Sequence, residues 1–224
     1  MTGTQMEALS TALKSEEGDR DKVGVFTFAL KRCVGNDIFI EAPKWDNPLG
    51  AAGPYETFRT QFYRAVGMIA ADRLAYLQKM RRLIEAYRKP YPERLAATQA
   101  VMASVQRLPR VRELTAILFP DAVQYCDEEG KAIAVLRAAQ VGLAVEKYRA
   151  AKGRLPATLN ELVPAYLESV PPDPFDGKPL RFRELSDGFV VYSIGPDGKD
   201  NAGAERLPSL PPGAEYDVTF IVER

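Results

Sequence analysis

Between residues 127 and 200 a helical hydrophobic pattern, a glycine stop, a capping signal, a cluster of prolines and two strand-like runs follow one another, and that order constrains the fold more than any other feature. The helix pattern covers 127–152. Ile133, Leu136, Leu143 and Ala144 share one side of it while Val141, Val145 and Tyr148 occupy another. It is therefore expected to be a spine buried on two sides, taking a sheet on one and the preceding helices on the other. Gly153 is the expected stop, and Thr158-Leu159-Asn160-Glu161 has the spacing of a capping box, which predicts a short helix to about Ser169. Pro171, Pro172 and Pro174 end it, because a proline disfavours the helical region for the residue before it. Strands are predicted over 180–184, 188–194 and 216–222.

Upstream, Met6, Leu9, Leu13, Val23, Phe26 and Leu30 alternate with charges, which predicts two short helices broken at Gly18. Pro43, Trp45 and Pro48 mark an irregular loop over them. Gly53-Pro54 then opens a long helix in which Phe58, Phe62, Ala65, Ile69, Tyr76, Leu77, Met80, Ile84 and Tyr87 recur at spacings of three and four, up to Lys89-Pro90. Helices over 93–107 and 111–118 follow between prolines. The fold class expected is α+β, with a helical bundle over 1–126 and a domain over 127–224 carrying the long helix and a small antiparallel sheet of three or four strands. The aromatic and methionine stripe reads as core. Lys79, Arg81, Arg82, Arg88 and Lys89 read as a solvated basic face near a helix C-terminus.

Composition removes several function classes. Lysine plus arginine equals aspartate plus glutamate at 30 each, so no net field draws the chain to nucleic acid. Histidine is absent, and with it the commonest general base near neutral pH and the commonest ligand of zinc, copper and non-haem iron. Cys33 and Cys126 are too far apart for a thiolate metal motif; a disulfide between them is allowed by the sequence but not implied. No apolar run is long enough to span a bilayer, and Met1-Thr2-Gly3-Thr4 lacks a secretory pattern, so membrane attachment is expected only through an anchor outside these residues.

Tyr148-Arg149 ahead of Lys152-Gly153-Arg154-Leu155-Pro156, then Pro172-Asp173-Pro174, then Tyr192-Ser193-Ile194-Gly195-Pro196-Asp197-Gly198, occur in one order from about Leu136 to Asp200. This order resembles the globular part of a type II secretion major pseudopilin, with Leu155 where that family often has tyrosine. The resemblance implies a sheet of pseudopilin type and a non-catalytic role as an envelope or secretion-associated interaction module. It also implies an extracytoplasmic location and partners among other proteins of such an assembly. Two departures stand out: Lys31 and Arg32 interrupt the apolar run after Gly24-Val25-Phe26-Thr27-Phe28, and the stretch 202–215, with Pro208, Pro211 and Pro212, is longer than the family's last loop.

The same resemblance implies a calcium site built from carboxylates and carbonyls, with Asp197 and Asp217 at matching positions, Asp200 and Asn201 nearby, and the Ile194 carbonyl as a further ligand. Calcium takes six to eight oxygens in irregular geometry, which suits such a loop. Gly195-Pro196-Asp197-Gly198 equally suits a metal-free β-turn, and both readings stand. Asp173 and Asp176 read as turn residues. The competing classes are a small-molecule or glycan-binding protein with a pocket beneath Trp45, and a hydrolase drawing acid and base from Asp173, Asp176, Asp187 or Asp197.

Overall fold

The computed structural model describes residues 5–17, 28, 31–32, 67–109, 113–205 and 216–223. Gly18, Cys33, the Trp45 loop, the helix opening at Gly53-Pro54 and the prolines at 208, 211 and 212 lie outside the described residues. The chain divides into two compact units, one of Met1–Asp21 with Tyr125–Arg224 and the other of Lys22–Gln124. The architecture is α+β.

In the first unit, α1 occupies residues 5–17. The long helix, labelled α5, spans Ala122–Lys152, 31 residues, and belongs to this unit from Tyr125 on; it begins before the predicted Asp127. Its start is set by Asp121, whose Oδ1 accepts the Gln124 N–H at 3.3 Å as an N-cap does. The acidic run that follows is tolerated inside the helix, with Glu128 paired to Lys131 at 2.9 Å. The helix ends at Gly153, whose φ of +71° is the left-handed C-cap and whose N–H reaches the Arg149 carbonyl at 2.8 Å. Arg149 and Lys152 in the last turn complement the helix dipole.

Beyond the corner, the predicted helix to Ser169 shrinks to a single 3-10 turn, Leu159–Leu162. Val163 is extended, as the residue before Pro164 prefers. The reciprocal capping box does not form either: Thr158 makes no side-chain cap, and Glu161 accepts the Ala157 N–H at 2.8 Å instead. Tyr148 and Arg154 also donate to Glu161, the latter at 2.9 Å, and they hold it towards α5.

Strands β1 (Arg181–Leu185), β2 (Gly188–Ser193) and β3 (Val218–Glu223) form an antiparallel 3-stranded sheet in the order β1-β2-β3. Arg181 pairs with Tyr192, Val191 with Phe220 and Ser193 with Val218. The central strand is buried from Phe189 to Ser193 because both of its faces are covered. Phe189 and Val191 join Val141, Val145 and Tyr148 of α5, with Leu162 and Leu180, in one apolar cluster. Each such side chain contributes on the order of 1.5–3 kcal/mol when fully buried. Gly142 admits the sheet closely: a β-carbon there would stand 2.6 Å from Cε1 of Phe220. On the opposite face, a β-carbon on Gly203 would lie 3.1 Å from Val190 and 3.2 Å from Tyr192, so the loop after β2 folds back over them.

The second unit holds α2 (Met68–Tyr87), α3 (Glu93–Gln106) and α4 (Glu113–Leu118). Tyr76, Met80, Leu83, Ile84 and Tyr87 bury one stripe of α2, joined in the core by Val101, Val105 and Phe119. Two buried hydroxyls are satisfied locally: that of Thr115 donates to the Asp72 carbonyl at 3.0 Å, and Tyr87 Oη donates to the Ala122 carbonyl at 3.0 Å. Arg94, buried against expectation for its type, donates to the Lys89 carbonyl at 2.9 Å and lies over the Tyr91 ring at 4.7 Å.

Candidate functional site

The end of β2 is the point where the chemistry of the first unit gathers, and two aspartate-centred loops meet it. The first is the proline loop. Asp173 is 0% exposed, and its carboxylate accepts from the Ser193 hydroxyl at 2.8 Å, the Ile194 N–H at 3.0 Å, the Phe175 N–H at 2.9 Å and Arg181 Nη1 at 2.7 Å. Pro172 and Pro174 flank it and leave Asp173 as the residue whose side chain fastens the loop to β2. Its N–H donates to the Lys178 carbonyl at 2.7 Å, closing the turn.

Arg181, at the start of β1, is the cation of this network. Besides Asp173 it reaches Asp176 at 2.6 Å and Asp200 at 3.4 Å. Burial alone would raise the Asp176 carboxyl, but the Arg181 bond and the Lys178 N–H outweigh it and hold the group below the ordinary aspartate value. The sequence reading treated Asp173 and Asp176 as turn residues and passed over Arg181. The signal available was a carboxylate between prolines, unable to be buried without a counter-charge.

The second loop follows β2 and carries the residues matched to the calcium site. Gly198 donates to the Gly195 carbonyl at 3.3 Å, so the β-turn forms, and Asp197 Oδ1 accepts the Lys199 N–H at 3.2 Å. Asp200 Oδ1 accepts the Ala202 N–H at 2.9 Å. Asp217 lies beyond the long stretch, just before β3. Its N–H donates to the Ala204 carbonyl at 2.9 Å, and its carboxylate accepts the N–H groups of Asn201 at 3.2 Å and Gly203 at 2.6 Å. Ile194 gives its N–H to Asp173, and the adjacent Gly195 sits at φ +72° with the Tyr216 carbonyl 3.5 Å and Asp197 Oδ1 4.0 Å from where a β-carbon would stand.

Burial raises the Asp217 carboxyl above its usual value, and the charges of Asp200 and Asp197 add to the rise against the two backbone N–H bonds. Tyr192 is raised in the same way, first by burial and then by the charge of Asp200, to which it donates. Asn201 Nδ2 is buried without a hydrogen-bond partner. The donor set, oxygen only with surplus negative charge, fits a hard cation such as calcium. The hydrogen bonds present are those of a loop held by its own amides, and among the described residues no group of three metal-ligating side chains is gathered for an ion.

The acids considered for hydrolysis are dispersed. Asp173 and Asp176 share the Arg181 guanidinium, Asp187 lies in the exposed turn between β1 and β2, and Asp197 is exposed in its own turn. In the second unit, the basic face is partly engaged: Lys79 donates to the Ser104 hydroxyl at 2.7 Å, and Arg81 pairs with Glu85 at 3.0 Å. Burial lowers the Lys79 ammonium, and Arg82 adds to the effect.

No family model, curated protein or solved structure matches the chain. No described helix is long and apolar enough to cross a membrane.

Proposed function

We propose that this protein is a non-catalytic interaction module of the cell envelope, built on a scaffold like the globular part of a type II secretion major pseudopilin, with calcium ordering its last loop. The observation that carries this reading is the way Asp173 joins the proline loop to Ser193 and Ile194, the two motifs that the resemblance rests on. A long helix ending in the Gly153 corner and packed on a three-stranded antiparallel sheet supports it. A buried arginine-clamped aspartate serves rigidity, which suits a docking body. Calcium would draw on Asp197, Asp200, Asp217 and the Ile194 carbonyl, and it would relieve the surplus charge that raises Asp217.

The calcium part is tested by melting the protein in millimolar calcium against a chelator. Preferential binding to the folded state raises the melting temperature, and Asp197→Ala is expected to abolish the increase. An identical melting curve in both buffers removes calcium from the reading. For the location, cell fractionation with an antibody to this chain is expected to recover it with the envelope, and recovery with the cytosol overturns that assignment. Glycoside hydrolysis by the purified protein, lost in Asp197→Ala, would instead establish the carboxylate enzyme.

A further inference from the structure

Beside the proline loop, whose Pro171 and Pro172 line it, the first unit carries a cleft of about 480 Å³ between α1, α5 and the segment 164–172. Its floor is Gln140, which is 7% exposed and whose Nε2 has no hydrogen-bond partner, a costly arrangement for a buried donor. On one wall, α1 presents Ser10 and the exposed ammonium of Lys14. Glu168 and Ser169 also line the cleft, both exposed and, among the described residues, without a backbone hydrogen bond. Arg137 braces the cleft by pairing with Glu17 at 2.7 Å and donating to the Pro172 carbonyl at 2.7 Å.

Three features narrow the ligand. Gln140 Nε2 asks for a carbonyl acceptor, and the exposed main chain of Glu168-Ser169 has no backbone hydrogen bond of its own among the described residues. Lys14 and Glu168 add one cation and one anion to a lining whose other charges, Arg137 and Glu17, pair with each other, so the lining selects against a purely anionic or purely cationic molecule. The volume suits a few residues of chain rather than a folded surface. We propose that this cleft is a binding site for a short extended peptide segment of mixed charge, whose backbone carbonyl takes the Gln140 amide and whose main chain pairs along Glu168-Ser169. It is separate from the last loop, so its failure would leave the scaffold reading untouched.

The probe is the blocked tetrapeptide acetyl-Glu-Ala-Ala-Lys-amide, titrated into the full isotope-labelled chain while the Gln140 side-chain amide resonance is followed. A saturable shift of that resonance is expected. Gln140→Leu should weaken binding by about fivefold or more, the loss of one hydrogen bond, read at the neighbouring backbone amides. Lys14→Ala, an exposed change that spares the fold, should weaken it by about twofold through the lost charge. Succinate is the second probe. A shift with succinate and none with the peptide would make the cleft a carboxylate site and overturn the proposal, and so would unchanged peptide affinity in both variants or no saturable shift at all.

Discussion

Asp173 and Asp217 are both buried, both face the end of β2, and they are solved in opposite ways. Asp173 has a guanidinium, a hydroxyl and backbone amides around it, while Asp217 has backbone amides and two further carboxylates in range. The difference separates what holds the unit together from what leaves it responsive. A buried carboxylate with its counter-ion is a lock, and removing either partner strands the other. A buried carboxylate with surplus negative charge around it is a place where a proton or a cation changes stability.

The largest effect expected is at the lock. Asp173→Ala should destabilise the unit by about 3–5 kcal/mol in denaturant unfolding, since it strands Arg181 and leaves the Ser193 and Ile194 donors unpaired. A loss under about 1 kcal/mol, the size of a surface change, would break the comparison. Arg181→Met should cost somewhat less, about 2–3 kcal/mol, because the guanidinium is partly exposed. The double change should cost less than the sum of the single ones, since the two residues share one interaction.

How these features stand to the sequence follows from their range. The stop at Gly153, the turn at Gly195-Pro196-Asp197-Gly198 and the strands near their observed limits are settled within a few residues, and local patterning exposes them. The helix expected from Asp127 starts at Ala122, after the Asp121 cap. Arg181 bridges Asp173, Asp176 and Asp200, a choice made by folding β1 beside two loops, which spacing alone does not encode. Glu161 looked like half of a capping box, and Tyr148, one helix away, claimed it. Gln140 sat on an apolar helix where its polarity carried no message until α1 and the loop enclosed it.

Glu161 offers a smaller, pH-resolved test of the lock principle outside the Asp173 network. Its hydroxyl partner Tyr148, then the Ala157 N–H and Arg154, lower its pKa from 4.5 to about 2. A carboxyl lowered on folding contributes stability above 4.5 that is lost as the pH falls towards 2. Acid unfolding should therefore steepen across that window in the parent protein and flatten in Glu161→Gln. Equal slopes would mean that Tyr148 and Arg154 do not engage the carboxylate in solution.

The smallest expected effect, and the sharpest, is at Asp217. Its carboxyl is raised above 3.8 by burial and by the neighbouring acids, so the folded state favours the neutral form. The contribution is fully present below 3.8 and is lost as the pH rises through the folded value, opposite in sign to Glu161. Asp217→Asn retains an acceptor oxygen and sheds the charge, so it should lie within about 1 kcal/mol of the parent protein at neutral pH. Relative to the parent it should gain stability as the pH climbs from 3.8, read from unfolding curves across the range. A variant that instead falls behind the parent as the pH rises would show that the loop needs the Asp217 charge, and the contrast between the two buried aspartates would collapse.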